Sequence, residues 1–150
     1  MIIFVCDASP VIGLGHLNRC LILAHELYSL GESCVMVGPS EKYCQQLNKP
    51  IFVDWIEQDN IWESSIKASR RLIKIAKKYS SSMAVLDDYR IDKEYQESLK
   101  KSRIHFLLFD NAERDGVLSD IILNTNPMIS ESDYKYKITN PEAKLLLGPK

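Results

Sequence analysis

The residues best suited to chemistry lie in one early run, Asp7-Ala-Ser-Pro-Val-Ile-Gly13-Leu-Gly15-His16-Leu-Asn18-Arg19-Cys20. It follows an apolar strand and opens an amphipathic helix. Glycine lets the backbone approach a ligand closely. The unpaired N–H groups of a helix start favour an anion, whether a phosphate or a developing oxyanion. The same helix end disfavours an imidazolium, so His16 is expected as a neutral imidazole able to take a proton. A histidine that merely caps the helix would occupy the same position. The spacing also invites a dinucleotide-binding reading, which fails twice. The third glycine position is Asn18, and the second strand ends Val37-Gly38-Pro39-Ser40 with no acid for a ribose hydroxyl. No Gly-Lys-Ser/Thr follows, so it is not a Walker loop. No cofactor is expected.

Other polar residues gather where apolar runs end. They are Asp7 with Ser9, then Asp87, Asp88 and Tyr89, then Asp110 with Asn111, then Asn124 with Asn126. In open α/β sheets ligands bind outside the carboxyl ends of the strands, so four clusters on one expected edge favour a site. Asp87 and Asp88 are adjacent and should face opposite ways, which argues against a paired acid and base. Ser9 lacks a nucleophile-elbow context. His25 and His105 fall inside a helix and a strand and are read as structural. No metal-ligand spacing occurs, and no metal is expected. Cys6, Cys20, Cys34 and Cys44 form no C-x-x-C pair, and reduced thiols in a cytoplasmic protein are the simplest account.

The elements that would position these groups alternate along the chain. Strands are expected at Ile2–Cys6, Ser33–Val37, Ile51–Val53, Met83–Leu86, Ile104–Phe109, Asp120–Leu123 and Lys144–Leu147. Helices are expected from Leu17 to Tyr28 with a stop at Gly31, from Glu41 to Leu47, from Ile61 to Tyr79, and from Asp92 to Lys101. Asp92 is the expected N-cap of the last. In the third helix Trp62, Ile66, Ser69, Leu72, Ile73 and Ala76 share one face. The other face carries Lys67, Arg70, Arg71, Lys74, Lys77 and Lys78, and reads as a solvated surface. Alternating strands and helices imply right-handed crossovers and an α/β fold, a Rossmann-like parallel sheet with helices on both faces. The 150 residues suit one domain with a real core.

Nineteen basic and 20 acidic side chains give a formal charge of −1, so no basic excess points to nucleic acid or an anionic membrane. No apolar run approaches the ~20 residues of a membrane span. A cleavable leader pattern is absent from the sequence as read.

The first motif, Asp7-Ala-Ser-x-x-Ile-Gly13-x-Gly15-His16-x-x-Arg19-Cys20-Leu21-x-Leu23-Ala24, resembles the opening of the UDP-2,4-diacetamido-2,4,6-trideoxy-β-L-altropyranose hydrolase family of pseudaminic acid biosynthesis. Spore-coat polysaccharide proteins and sugar-activating fusion proteins share it. Asp88-Tyr89, Phe109-Asp110-Asn111-Ala112, Asp120-Ile-Ile-Leu-Asn124-Thr-Asn126 and Leu146-Leu-Gly148-Pro149 resemble later family segments in order. Asn111 departs from the family's second aspartate. The resemblance implies two Rossmann-like domains in the glycosyltransferase-B arrangement, with residues 1–150 forming the N-terminal, sugar-side half. It implies metal-independent cleavage of a UDP-sugar at the anomeric carbon, with His16 activating water. Tyr89 would line the sugar pocket, as would Asp7 and Asn126, and Gly13, Gly15, Arg19 and Asp88 are further substrate-binding positions it marks. The implied partners are the UDP-sugar and a C-terminal UDP-binding domain in cis or in trans. A transferase of the same architecture and a non-catalytic half-domain are the alternatives.

Overall fold

Every side chain of Ile2–Cys6 is buried, which an isolated strand cannot achieve and a strand covered on both faces must. In the computed structural model, which describes residues 1–9, 12–43, 50–58 and 64–148, this segment is β1, at the heart of a seven-stranded parallel sheet. The other strands are β2 (Cys34–Gly38), β3 (Phe52–Glu57), β4 (Met83–Asp87), β5 (His105–Phe109), β6 (Ile121–Asn124) and β7 (Lys144–Leu147). Their order is β3-β2-β1-β4-β5-β6-β7, and every pairing is parallel.

The period of two along β1 feeds two cores. Ile3 and Val5 pack with Leu72, Ile75, Tyr95 and Leu99 on one face; Ile2, Phe4 and Cys6 pack with Leu17, Cys20 and Ala24 on the other. The first face is covered by α2 (Ser65–Lys78) and α3 (Lys93–Lys101), the second by α1 (Gly15–Ser29). Each large side chain withdrawn from water in this way stabilises the fold by roughly 1.5–3 kcal/mol.

The helix ends follow their residues. Gly31, at φ +88°, stops α1 in the left-handed region that glycine enters without strain. The Ser64 hydroxyl caps α2 by accepting from Lys67 N, and the Asp92 carboxylate caps α3 by accepting from Tyr95 N at 2.9 Å. Ser65 Oγ donates to the same Asp92 at 2.5 Å, so one cap also ties α2 to α3. That polar tie shifts the buried line of α2 to Ser65, Ser69, Leu72, Ile75 and Ala76. Ile66, expected inside, is exposed, and Ile73 is only half-buried. The expected start of that helix at Ile61, with Trp62, lies outside the described residues. The helix expected over 41–47 is a 3₁₀ turn at Glu41–Tyr43, and residues 44–49 lie outside the described set. The strand expected at Ile51–Val53 begins at Phe52 and runs on to Glu57. No described helix is long and apolar enough to cross a membrane.

Gly38 ends β2 against the neighbouring strand. A Cβ there would lie 2.6 Å from the Cys6 carbonyl oxygen, a backbone atom that cannot rotate away. Gly38→Ala is therefore expected to lower stability by about 1–3 kcal/mol, the usual range for overpacking. The midpoint of urea unfolding measures it, and an unchanged midpoint would contradict the steric reading.

Candidate active site

Chain order and sheet order diverge between β1 and β4. From β1 the chain steps outward through β2 and β3; from β4 it steps the other way through β5, β6 and β7. The loops after β1 and β4 therefore turn to opposite faces of the sheet, and in such sheets the crevice between them at the strands' carboxyl ends is where ligands bind. The first loop carries Asp7 to Leu14 and delivers His16 in the first turn of α1. The second carries Asp88, Tyr89 and Arg90.

Ser9 and Gly13 are bridged across the first loop. Gly13 N donates to Ser9 O at 2.7 Å, Ile12 N donates to Ser9 Oγ at 3.1 Å, and Gly13 sits at φ +87°. The N-cap of α1 is Leu14, with no side-chain cap. His16 is thus no capping residue. Its ring turns toward β4, where Nδ1 lies 2.6 Å from Asp87 Oδ1. Both groups are buried. A carboxylate only accepts, so Nδ1 carries the proton and donates it. Arg19, one helical turn on, clamps the same carboxylate through Nε to Oδ2 and through Nη2 to Oδ1 at 2.5 Å. Arg19 Nη2 also comes within 3.1 Å of His16 Nδ1, because the two donors share one oxygen. The Cys20 thiol points at Asp87 Oδ2 at 3.9 Å. The Arg19 guanidinium lies 5.0 Å over the Phe109 ring, and its bonds to Asp87 raise its pKa further. With Nδ1 protonated, Nε2 is a free lone pair, and no described residue hydrogen-bonds it. The Tyr89 ring stands edge-on to His16, centroids 4.7 Å apart.

A second cluster lies beside the first. Arg90 Nε and Nη2 donate to Asp88 Oδ1 and Oδ2 at 2.9 and 2.6 Å, and Nη2 reaches Asp7 Oδ2 at 3.1 Å. Burial pushes the Asp7 carboxyl above the usual range, with Arg90 opposing. Both oxygens of Asp88, the residue expected to meet substrate, accept from Arg90. Arg114 pairs with Asp110 Oδ1 at 2.9 Å, and Asp110 Oδ2 accepts from Ala112 N and the Tyr134 hydroxyl.

The crevice brings together Asp7, His16, Arg19, Asp88 and Tyr89. Gly13 shapes the turn, and Gly15 begins the helix with open space around it. Asn126 is not brought in. It follows β6, two strands beyond β4, is exposed, and accepts from Met128 N at 3.0 Å. His25 and His105 are exposed on α1 and β5. A cavity of about 210 Å³ opens beside Ala8 and is lined by Ser40, Lys42, Tyr43 and Glu57. Among the described residues no three His, Cys, Asp or Glu side chains are grouped to hold a metal.

Asp87 as the partner of His16, and the arginines 90 and 114, are absent from the residues singled out by sequence. Two signals were available. Arg19 is three residues after His16, hence on the same helix face. Arg90 is two residues after Asp88, close enough for its backbone N–H to donate to Asp88 Oδ1 at 2.9 Å.

Sheet order, crossovers and the central crevice define an α/β, Rossmann-like half-domain. The crystal structure of MurG from Acinetobacter baumannii has this fold, with a TM-score of 0.61 at 14% identity over 99% of this chain and 46% of that one. The chain is also similar to the UDP-2,4-diacetamido-2,4,6-trideoxy-β-L-altropyranose hydrolase of Campylobacter jejuni, 27% identical over 135 residues. That similarity takes in 89% of this chain and 44% of the hydrolase, so the chain spans less than half the length of the hydrolase, as it does of MurG. No family model matches.

Proposed function

We propose that this chain is the sugar-side, histidine-bearing half of a hydrolase. It cleaves a UDP-linked diacetamido-trideoxy sugar to UDP and free sugar, in surface polysaccharide or nonulosonic acid biosynthesis in the cytoplasm. The observation that carries the reading is the buried His16–Asp87 pair at the switch point, 2.6 Å apart, with Arg19 clamped to the same carboxylate.

The chemistry follows from the tautomer. Nε2 of His16 takes a proton from water as the water oxygen bonds to the anomeric carbon. The bond from that carbon to the phosphate oxygen breaks, and its electron pair leaves with UDP. Asp87 keeps the Nδ1 proton in place and offsets the charge of the imidazolium that forms. UDP is a good leaving group, so no strong general acid is needed. Asp7, Asp87, Asp88 and Asp110 face Arg19, Arg90 and Arg114. Fully ionised, these seven groups sum to one negative charge, which favours the positive charge that grows on a sugar ring as its anomeric bond breaks. The nucleotide is gripped by a second, UDP-binding half in cis or in trans, and closure of the two halves excludes bulk water.

The test is product analysis with both halves present and no sugar acceptor added. Equal amounts of UDP and free sugar support the hydrolase. UDP release that appears only with an acceptor hydroxyl would identify a transferase built on the same base.

A further inference from the structure

Tyr89 is 64% exposed, and no described residue hydrogen-bonds its hydroxyl. Nothing in its own side chain explains why its ring stays against His16. Its backbone does. Residues Asp88 to Ile91 form a turn closed by Ile91 N donating to Asp88 O at 3.3 Å, with Tyr89 and Arg90 at its tip. Two arginines hold this turn from different directions. Arg90 grips both Asp88 oxygens and crosses the crevice to Asp7 at the end of β1. Arg114, from the segment between β5 and β6, donates through Nη2 to Asp88 O at 2.8 Å and through Nε to Ile91 O at 3.1 Å. It thus holds the first and last carbonyls of the turn. Its remaining nitrogen, Nη1, is anchored on Asp110, whose side chain is fully buried.

We propose that Arg90 and Arg114 are positioning residues that fix the Asp88–Ile91 turn and so hold Tyr89 against His16 on the sugar side of the crevice. Their importance for turnover rests on the hydrolase reading; the geometry does not. A planar guanidinium suits the task because its donors diverge at fixed angles. A lysine at 114 can keep the charge near Asp110 but cannot reach Asp88 O, Ile91 O and Asp110 together.

The test has a structural arm and a kinetic arm. The ring protons of His16 feel the Tyr89 ring current, so their NMR resonances report the contact in the 150-residue chain. Tyr89→Ala sets the value for a lost contact. Arg114→Lys and Arg90→Lys are expected to move the His16 resonances toward that value while the chain stays folded. In the complete enzyme each should lower kcat/KM by up to about 10²-fold, the scale of an ångström-level misplacement. Combined with Tyr89→Ala, neither should cost more than Tyr89→Ala alone, because both act through that ring. Wild-type resonances in both lysine variants would overturn the proposal, as would fully additive losses. If one variant fails to fold, the other carries the same test. Resonances that shift as expected in a protein that releases no UDP would sink the hydrolase reading and leave the clamp standing.

Discussion

His16→Ala is expected to reduce UDP release by about 10²- to 10⁴-fold, the range a positioned general base contributes. The loss should fall on the chemical step. No other described side chain combines a free nitrogen lone pair with a carboxylate behind it at this crevice. The fold should persist, because Asp87 keeps both hydrogen bonds from Arg19 and the Cys20 thiol when the imidazole is gone. Thermal melting would show the variant folded, and a UDP-release assay would show it slow. Undiminished turnover would remove His16 from the chemistry.

Asp87→Asn should impair both activity and stability. An asparagine placed here turns its NH₂ or its carbonyl toward Nδ1. If it donates, the imidazole proton moves to Nε2 and the lone pair needed for water is lost. If it accepts, the charge that offsets the imidazolium is missing. In a comparable histidine–aspartate pair the wrong tautomer costs about 10⁴-fold, and a loss of about 10³-fold or more is expected here. Stability should fall as well, since Arg19 loses its anionic partner. Breaking a fully buried pair costs about 3–5 kcal/mol, but the Arg19 side chain is 36% exposed and can find water, so about 2 kcal/mol is expected. Denaturant unfolding and single-turnover kinetics measure the two effects separately. A variant with normal kcat and lower stability would reduce Asp87 to a structural counter-ion.

Much of the sheet was legible because parallel strands covered on both faces read as unbroken apolar runs. Ile2–Cys6 and Phe106–Phe109 are the clearest cases. The α3 cap was legible because Asp92 precedes the periodic segment. The face of α2 was legible only in part. Ser69, Leu72 and Ala76 lie where periodicity put them; Ser65 and Ile75 replace Ile66 and Ile73 because the Ser65 hydroxyl has a partner in Asp92. The 3₁₀ turn at Glu131–Tyr134 has no apolar period, yet it buries Tyr134 on Asp110. At the site, the place of His16 in the first turn of α1 was legible from the glycine spacing. Its partner was not, because that pairing depends on β4 lying beside β1, a fact of sheet order. The Asp88–Arg90 pair went unread although only one residue separates the two in the chain.

The pairing of Cys6 with Asp87 across β1 and β4 has a consequence for how the protein would fail. These are central strands, flanked on each side by at least two others, and Asp7 N still donates to Asp87 O at 3.4 Å just beyond the ladder. Segments so enclosed exchange their amide hydrogens only when the whole molecule opens. The Asp87 carboxylate is thus placed by the most protected part of the sheet, whereas the Tyr89 turn is held by the side chains of Arg90 and Arg114. Under rising denaturant Asp87 should keep its place after the sugar-facing turn has loosened, so substrate affinity would fade before the central strands part.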